Sequence, residues 1–196
     1  MIPVFTCEIP LFIEADDYRQ IEQAVSFVTE HGFRMVLVGG ADSWLLTDLL
    51  ARNNIPVIVT SVHQEPRHED DGYDLQDKVP SLLKKAGVKF CLAPGFGATP
   101  IRNLAFLGAQ ASAFGLDKET ALRAITSSPA EILGVDKDLG SLEVGKKATI
   151  VISRDDIMDP MTCDIKYEFI EGRKVDLDNK HKELYRIYRL RNSVIE

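Results

Sequence analysis

The sequence has few of the features that commit a chain to a disulfide scaffold, a membrane or a nucleic acid. Its three cysteines, Cys7, Cys91 and Cys163, are far apart and form no CxxC pair, which predicts buried thiols in a reducing compartment. No apolar run approaches the roughly 18 residues that a membrane-spanning helix needs. Basic residues are outnumbered, with 23 Lys and Arg against 30 Asp and Glu and a formal net charge of −7. We therefore expect a cytoplasmic protein that binds neither membrane nor nucleic acid.

The amino-terminal residues also lack the pattern of a secretory signal. Residues 1–15 contain Glu8 and Glu14, and no basic residue precedes Arg19, whereas a signal peptide begins with positive charge. With 45% apolar and 27% charged residues over a length of 196, the composition is that of an ordinary globular protein. Such a chain is long enough to bury a sizeable core and carry a small appendage.

Apolar runs and helical patterns alternate through the first part of the chain. Each run is largely apolar, and the residues after it have helical apolar spacing, which is typical of a parallel sheet with helical crossovers. The predicted strands are Ile9–Ala15, Arg34–Val38, Ile55–Val59 and Val88–Leu92. The predicted helices are Asp16–Glu30, Asp42–Arg52, a shorter one near Val79–Lys85, and Ile101–Phe114.

The pattern changes after residue 148. Ala148–Ser153 and Ile165–Ile170 are predicted strands, and residues 171–175 are predicted to turn into a third short strand. A charged helix is predicted over Asn179–Leu190. We therefore divide the chain into an α/β body over residues 1–135, a small β-segment over 136–178 and a C-terminal helix over 179–196.

The segment Ala121–Ser153 carries the most specific local pattern. Ser128 is placed to cap a short helix with Pro129 at its first position, and Glu131 would complete a capping box. Gly134 occupies the position of a left-handed C-terminal cap. Two more glycines then punctuate the approach to the next apolar run.

The order of these residues resembles the end of the barrel in the metal-dependent amidohydrolase superfamily. There the last helix reads AL-x-x-x-T-x-x-PA-x-x-LG, and an LGS-L-x-x-GK-x-A turn leads into a small β-domain. The same positions here read ALRAITSSPAEILG and LGSLEVGKKA. The resemblance extends to an imidazolonepropionase-like branch, through IEA at the first predicted strand end and GG at the second. It implies hydrolysis of a C–N bond in a small-molecule amide, cyclic amides included.

The resemblance also implies an incomplete barrel. The family's body is an eight-stranded (β/α) barrel, whereas four βα units are visible here, and by motif order they correspond to the last four. Four strands cannot close such a barrel, so strand edges and an apolar inner face would be exposed. We therefore expect a partial TIM barrel, either as part of a longer protein whose N-terminal half completes it, or in a homo-oligomer.

Carried onto this chain, the resemblance predicts no metal site. The family ends its fifth and sixth strands with His ligands and its eighth with Asp, and a His-x-His pair lies on its first strand. Glu14, Gly39 and Gly95 stand at the corresponding strand ends here, and glycine has no side chain that binds a metal. Zinc or another divalent metal is usual in the family, but we expect no cofactor from this chain.

Candidate site residues lie at the carboxyl ends of the predicted strands, where α/β proteins bind their ligands. Glu14 is a candidate general base, with helix capping or ion pairing as the alternative. His63 is the second catalytic candidate, because it follows the third strand in the polar segment Thr60–Asp74. The remaining positions are predicted to bind substrate, and they are Asp16, Gly39, Gly40, His68, Gly95 and Phe96.

Plainer interpretations stay open for several of these residues. Asp16 or Asp17 is also a predicted helix N-cap, and Gly39–Gly40 is also a tight strand-to-helix turn. His63 and His68, in an H-x4-H spacing among carboxylates, either bind a metal or belong to a solvated acidic loop. The alternative function is a non-catalytic binding or assembly module that retains the amidohydrolase scaffold.

Overall fold

The computed structural model describes residues 2–95 and 101–192. The chain divides into two compact units, the first made of residues 1–146 and 158–161 and the second of 147–157 and 162–196. Within the described ranges, no helix has both the length and the apolar character that a bilayer crossing requires.

The first unit is built on a parallel sheet whose strand order follows the chain, β1-β2-β3-β4. The register places Ala15 beside Gly39, Gly39 beside Val59 and Val59 beside Leu92. The strands therefore end side by side at one edge of the sheet. Their bounds are Leu11–Ala15 for β1, Met35–Gly39 for β2, Val57–Val59 for β3 and Phe90–Leu92 for β4.

Helices alternate with these strands, as the apolar spacing predicts. The predicted helix over Asp42–Arg52 is two pieces, a 3₁₀ turn over Ser43–Leu46 followed by an α-helix. The α-helices of this unit are α1 (Ile2–Phe5), α2 (Tyr18–His31), α3 (Thr47–Arg52), α4 (Leu75–Lys85), α5 (Leu104–Ala113), α6 (Lys118–Ala124) and α7 (Ser127–Leu133).

The two faces of the parallel sheet are buried to different extents. Leu37, Val57 and Val59 share one face through the register, and all three are 0% exposed. On the opposite face of β1, Phe12 is 48% exposed and Glu14 is also exposed. Further into the sheet the same face is covered, since Val36 and Cys91 are 2% and 3% exposed. The opening therefore lies along the edge strand β1, which a partial barrel leaves uncovered.

Caps fix the helix ends, and one predicted cap is wrong. Asp17 precedes α2 and accepts a hydrogen bond from the backbone N–H of Arg19 at 2.9 Å, so the predicted cap falls on Asp17. Gly134 ends α7 with φ +70°, as expected. Ser128 does not cap α7, because that helix already begins at Ser127 and Ser128 is inside its first turn.

The second unit contains an antiparallel sheet of order β5-β6-β7. Its strands are β5 (Ile150–Ser153), β6 (Ile165–Ile170) and β7 (Arg173–Lys174). Glu171 and Gly172 join the last two with φ of +49° and +80°, the signs that a tight type I′ hairpin turn requires. Helix α8 (Lys180–Asn192) follows.

Candidate functional site

Polar residues collect where β1, β2 and β3 end. Asp16 directly follows β1, residues 40–42 follow β2, and a polar segment follows β3. The backbone N–H of Asp42 donates to the carbonyl of Asp16 at 2.9 Å, which joins the first two loops. This edge is where a parallel α/β sheet binds ligands.

Asp16 holds the first two loops together and contacts the third. Its Oδ1 accepts a hydrogen bond from the N–H of Ala41 at 3.2 Å, and its Oδ2 lies 3.3 Å from Nη1 of Arg67. Gly39 has φ +95°, and a Cβ there would lie 2.6 Å from Asp16 Oδ1. Glycine is therefore favoured at the end of β2, because another residue would be strained at this φ and its Cβ would displace the Asp16 carboxylate.

Asp42 is the residue of this edge that the sequence pattern misses. Its side chain is 1% exposed, and its Oδ2 accepts a hydrogen bond from the N–H of Tyr18 at 3.1 Å. Nε2 of His68 lies 3.6 Å from the same oxygen. The sequence analysis assigns Asp42 to the start of a helix and therefore does not name it as a site residue. Its signal in the sequence is a carboxylate that closely follows the Gly39–Gly40 pair.

Residues 61–74, here named the strap, cross the strand ends without forming a helix or a strand. Arg67 and His68 reach from the strap to Asp16 and Asp42, and the backbone N–H of His68 donates to Asp71 at 3.1 Å. Charged side chains rather than a sheet or helix ladder therefore hold the centre of the strap in place.

The two predicted catalytic residues, Glu14 and His63, take no part in the contacts of Asp16 and Asp42 described above. His63 is exposed with φ +68°, and its backbone N–H donates to Asp77 Oδ1 at 3.1 Å. The other oxygen of Asp77 accepts from Gln110 at 2.9 Å. Glu14 lies on the open face of β1, opposite Ala15 in the strand alternation.

The structure brings together Asp16, Gly39, Gly40 and His68 among the predicted residues, and Gly40 has a left-handed φ of +68°. Gly95 follows β4, and no atom of the described residues lies within 4 Å of the position that a Cβ would take there. Phe96 lies outside the described residues.

Several buried polar atoms near this edge have no hydrogen-bond partner in the described parts of the chain. They are Ser43 Oγ, Trp44 Nε1, Ser61 Oγ, and both Nε2 and Oε1 of Gln76. Ser43 and Trp44 follow Asp42 directly, and α4, which carries Gln76, packs against the 3₁₀ turn that they begin. Orphaned buried polar atoms are uncommon in folded proteins.

The residues present do not fit a zinc site of the usual kind. Over residues 2–95 and 101–192, no group of three or more His, Cys, Asp or Glu side chains is arranged to hold a metal ion. Tetrahedral zinc needs three or four such donors. Cys91 does not offer a thiolate either, because burial raises its pKa to about 12.

Comparison with known families accounts for the fold. The model of the amidohydrolase family matches residues 72–175, which is more than half of the chain. The chain belongs to the amidohydrolase family. It represents the C-terminal portion of that family's proteins, and the predicted partial barrel is confirmed.

A solved amidohydrolase from Thermotoga maritima MSB8 has the same fold. It matches with a TM-score of 0.81 and 28% identity, over 89% of this chain and 45% of that chain. A zinc-bound adenosine deaminase from Xanthomonas campestris matches in fold with a TM-score of 0.57, at 16% identity, over 98% of this chain and 52% of that one.

Imidazolonepropionases are among the curated relatives of this amidohydrolase chain. Those of Shewanella baltica (strain OS185) and Shewanella sp. (strain MR-4) are each 40% identical over 70 residues, covering 34% of this chain and 17% of the relative. The aligned segment thus spans about a sixth of the length of these relatives, and the chain spans under half of the T. maritima structure.

Proposed function

We propose that this chain is part of a hydrolase that cleaves a non-peptide C–N bond in a small amide, cyclic amides included. The observation that carries the proposal is the meeting of three loops at the carboxyl edge of the sheet, where Asp16 and Asp42 adjoin. Similarity to imidazolonepropionases supports the cyclic amide as substrate class.

The chain's own residues have distinct roles in this proposal. Asp16 has a side chain that is 41% exposed, and its Oδ2 would accept a hydrogen bond from a substrate N–H in place of its contact with Arg67. Glu14 and His63 are both exposed and are the proposed proton acceptors for the attacking water. A metal, where the whole protein holds one, would activate that water and polarise the amide carbonyl, and residues outside the described ranges would have to complete its ligand set.

The open face of the sheet supports a partner for this half-barrel. Phe12 is 48% exposed on that face, and β1 and β4 are the edge strands among the described residues. An unpaired edge beside an apolar face is prone to pair with another chain. We propose that four further βα units close the barrel, because the T. maritima chain that contains this fold is about twice as long. Pairing of two copies is the other outcome that a mass measurement would reveal.

A non-catalytic binding module is the second candidate function. Gly39 favours it, because glycine offers no side chain to bind a metal at the end of β2. A scaffold that keeps its ligand edge without its metal ligands would bind an amide and release it unchanged.

Turnover and binding assays, with and without the four further βα units that would close the barrel, separate the two functions. Hydrolysis of imidazolone propionate and related lactams should be measured with zinc or manganese added, and binding by calorimetry. If the chain takes part in catalysis, Asp16→Asn should lower kcat/KM by about 10-fold or more, whereas the exposed Asp48→Asn control on α3 should not. Binding without any turnover would favour the non-catalytic module. If Asp16→Asn reduced neither turnover nor binding, both proposed functions would be contradicted.

A further inference from the structure

The strap is held over the carboxyl edge by a few side-chain contacts. Nη1 of Arg67 lies 3.3 Å from Asp16, and Nε2 of His68 lies 3.6 Å from Asp42. Residues 63–70 of the strap are all exposed. A segment with so little burial and no backbone ladder belongs to the low-stability end of a protein.

Buried polar groups lie at the edge of the sheet that the strap crosses. Asp42 is 1% exposed, and the hydroxyls of Ser43 and Ser61 and the amide of Gln76 have no hydrogen-bond partner among the described residues. Water or a ligand that reached the side chains of Ser43 and Gln76 would satisfy them. These atoms are therefore available to a ligand at this edge.

Arg67 and His68 place nitrogen atoms against the carboxylates of Asp16 and Asp42 in the closed arrangement. Asp42 is a carboxylate in a buried position, which needs positive or hydrogen-donating partners. Its Oδ2 accepts a hydrogen bond from the N–H of Tyr18 at 3.1 Å, and Nε2 of His68 lies 3.6 Å from the same oxygen. A ligand that displaces the strap must supply the same chemistry. A protonated nitrogen with several N–H donors does so for Asp16 and Asp42 together.

We propose that the strap is a gate over the site assigned above, closed by Arg67 and His68 and opened by a small ligand that carries a cationic nitrogen group. This inference rests on the proposed function, because it takes the same edge as the substrate site and adds a positive group to the substrate amide. The hydroxyl of Ser43 and the amide of Gln76 would then receive the neutral polar part of that ligand.

The chain contains a built-in reporter of the gate. Trp44 is its single tryptophan, it lies two residues after Asp42 in the 3₁₀ turn, and its indole Nε1 is buried without a partner in the described ranges. Opening of the strap hydrates this edge, so Trp44 emission should move to longer wavelength and become more accessible to acrylamide.

The first test compares the double variant Arg67→Met/His68→Gln with an Arg123→Met control, which changes an exposed arginine on α6. In the double variant we expect the red shift of Trp44 and about 10-fold faster deuterium uptake over residues 61–74, with unchanged far-UV circular dichroism. The control should match the unmodified protein. Unchanged fluorescence and uptake in the double variant would overturn the gate.

The second test identifies the ligand class with two probes of the same shape, acetamidinium and neutral acetamide. Acetamidinium should reproduce the red shift in the unmodified protein, and acetamide should not. Equal responses to both probes, or none to either, would overturn the cationic class. Because neither test measures turnover, a gate that opens in a protein without hydrolase activity would refute the proposed function alone.

Discussion

The two units reach secondary structure of similar regularity with very different cores. In the first unit, Leu37, Val57 and Val59 are 0% exposed beneath the helices that flank the sheet. In the second, none of the described residues over 147–157 and 162–191 is buried, and Ile152 and Tyr167 are 45% and 47% exposed. The comparison shows that predicted strands can form even in a unit whose described residues include no buried side chain.

Different forces must therefore stabilise the two units. Burial of apolar surface dominates where residues are fully enclosed. The second unit instead carries exposed ion pairs, such as Lys147 with Glu171 at 3.0 Å and Arg186 with Asp178. Exposed pairs of this kind contribute little, so we expect the second unit to be the less stable of the two.

The largest expected effect is a cavity in the first unit. Leu37→Ala should lower the free energy of unfolding by about 2–5 kcal/mol, because it removes a fully buried side chain. Ile152→Ala in the second unit should change the free energy of unfolding by no more than about 0.5 kcal/mol. Urea unfolding followed by Trp44 fluorescence measures the first unit directly. A larger effect of Ile152→Ala would break the comparison.

A smaller effect should separate crowded from open glycines. Gly39→Ala should cost about 1–3 kcal/mol, since φ is +95° and the new Cβ would lie 2.6 Å from Asp16 Oδ1. Gly172→Ala in the second unit has a positive φ of +80° but no atom within 4 Å, so only the backbone strain applies. Thermal unfolding of both variants checks the difference, and equal losses would mean that Asp16 moves aside without cost.

The smallest expected effect is on the melting temperature of the protein at acid pH. Asp117 accepts a hydrogen bond from the N–H of Thr120 at 2.9 Å, and this bond holds the pKa of the Asp117 carboxyl below its usual range. Its contribution is present above the unfolded-state pKa and is lost as pH falls through the lowered folded-state pKa. Asp117→Asn keeps a capping oxygen but does not titrate, so acid should lower its melting temperature less steeply below pH 4.

Asp178 supplies the matched position in the second unit, since its hydrogen bond with Arg186 also lowers the pKa of the Asp178 carboxyl. Asp178→Asn should leave the acid transition seen by Trp44 fluorescence unchanged. A shift of that transition would show that the two units unfold together.

Sequence patterns predicted the parallel sheet well because its strands are continuous apolar runs. They were less accurate at ends: α4 begins at Leu75 rather than near Val79, and the helix expected from Asp42 begins as a 3₁₀ turn. The site was harder. The sequence predicts individual binding residues, namely Asp16, Gly39, Gly40 and His68, but not the contacts between them. The contact of His68 with Asp42 depends on how the strap folds, which no local pattern encodes.

The strand order β1-β2-β3-β4 has a consequence for how the chain reaches its fold. Each strand pairs with the strand synthesised just before it, so every loop that must close contains a single helical crossover. A chain leaving the ribosome can therefore add one βα layer at a time, and the sheet can grow before the last helix has been translated. The order in which the βα units are translated would then be the order in which they fold.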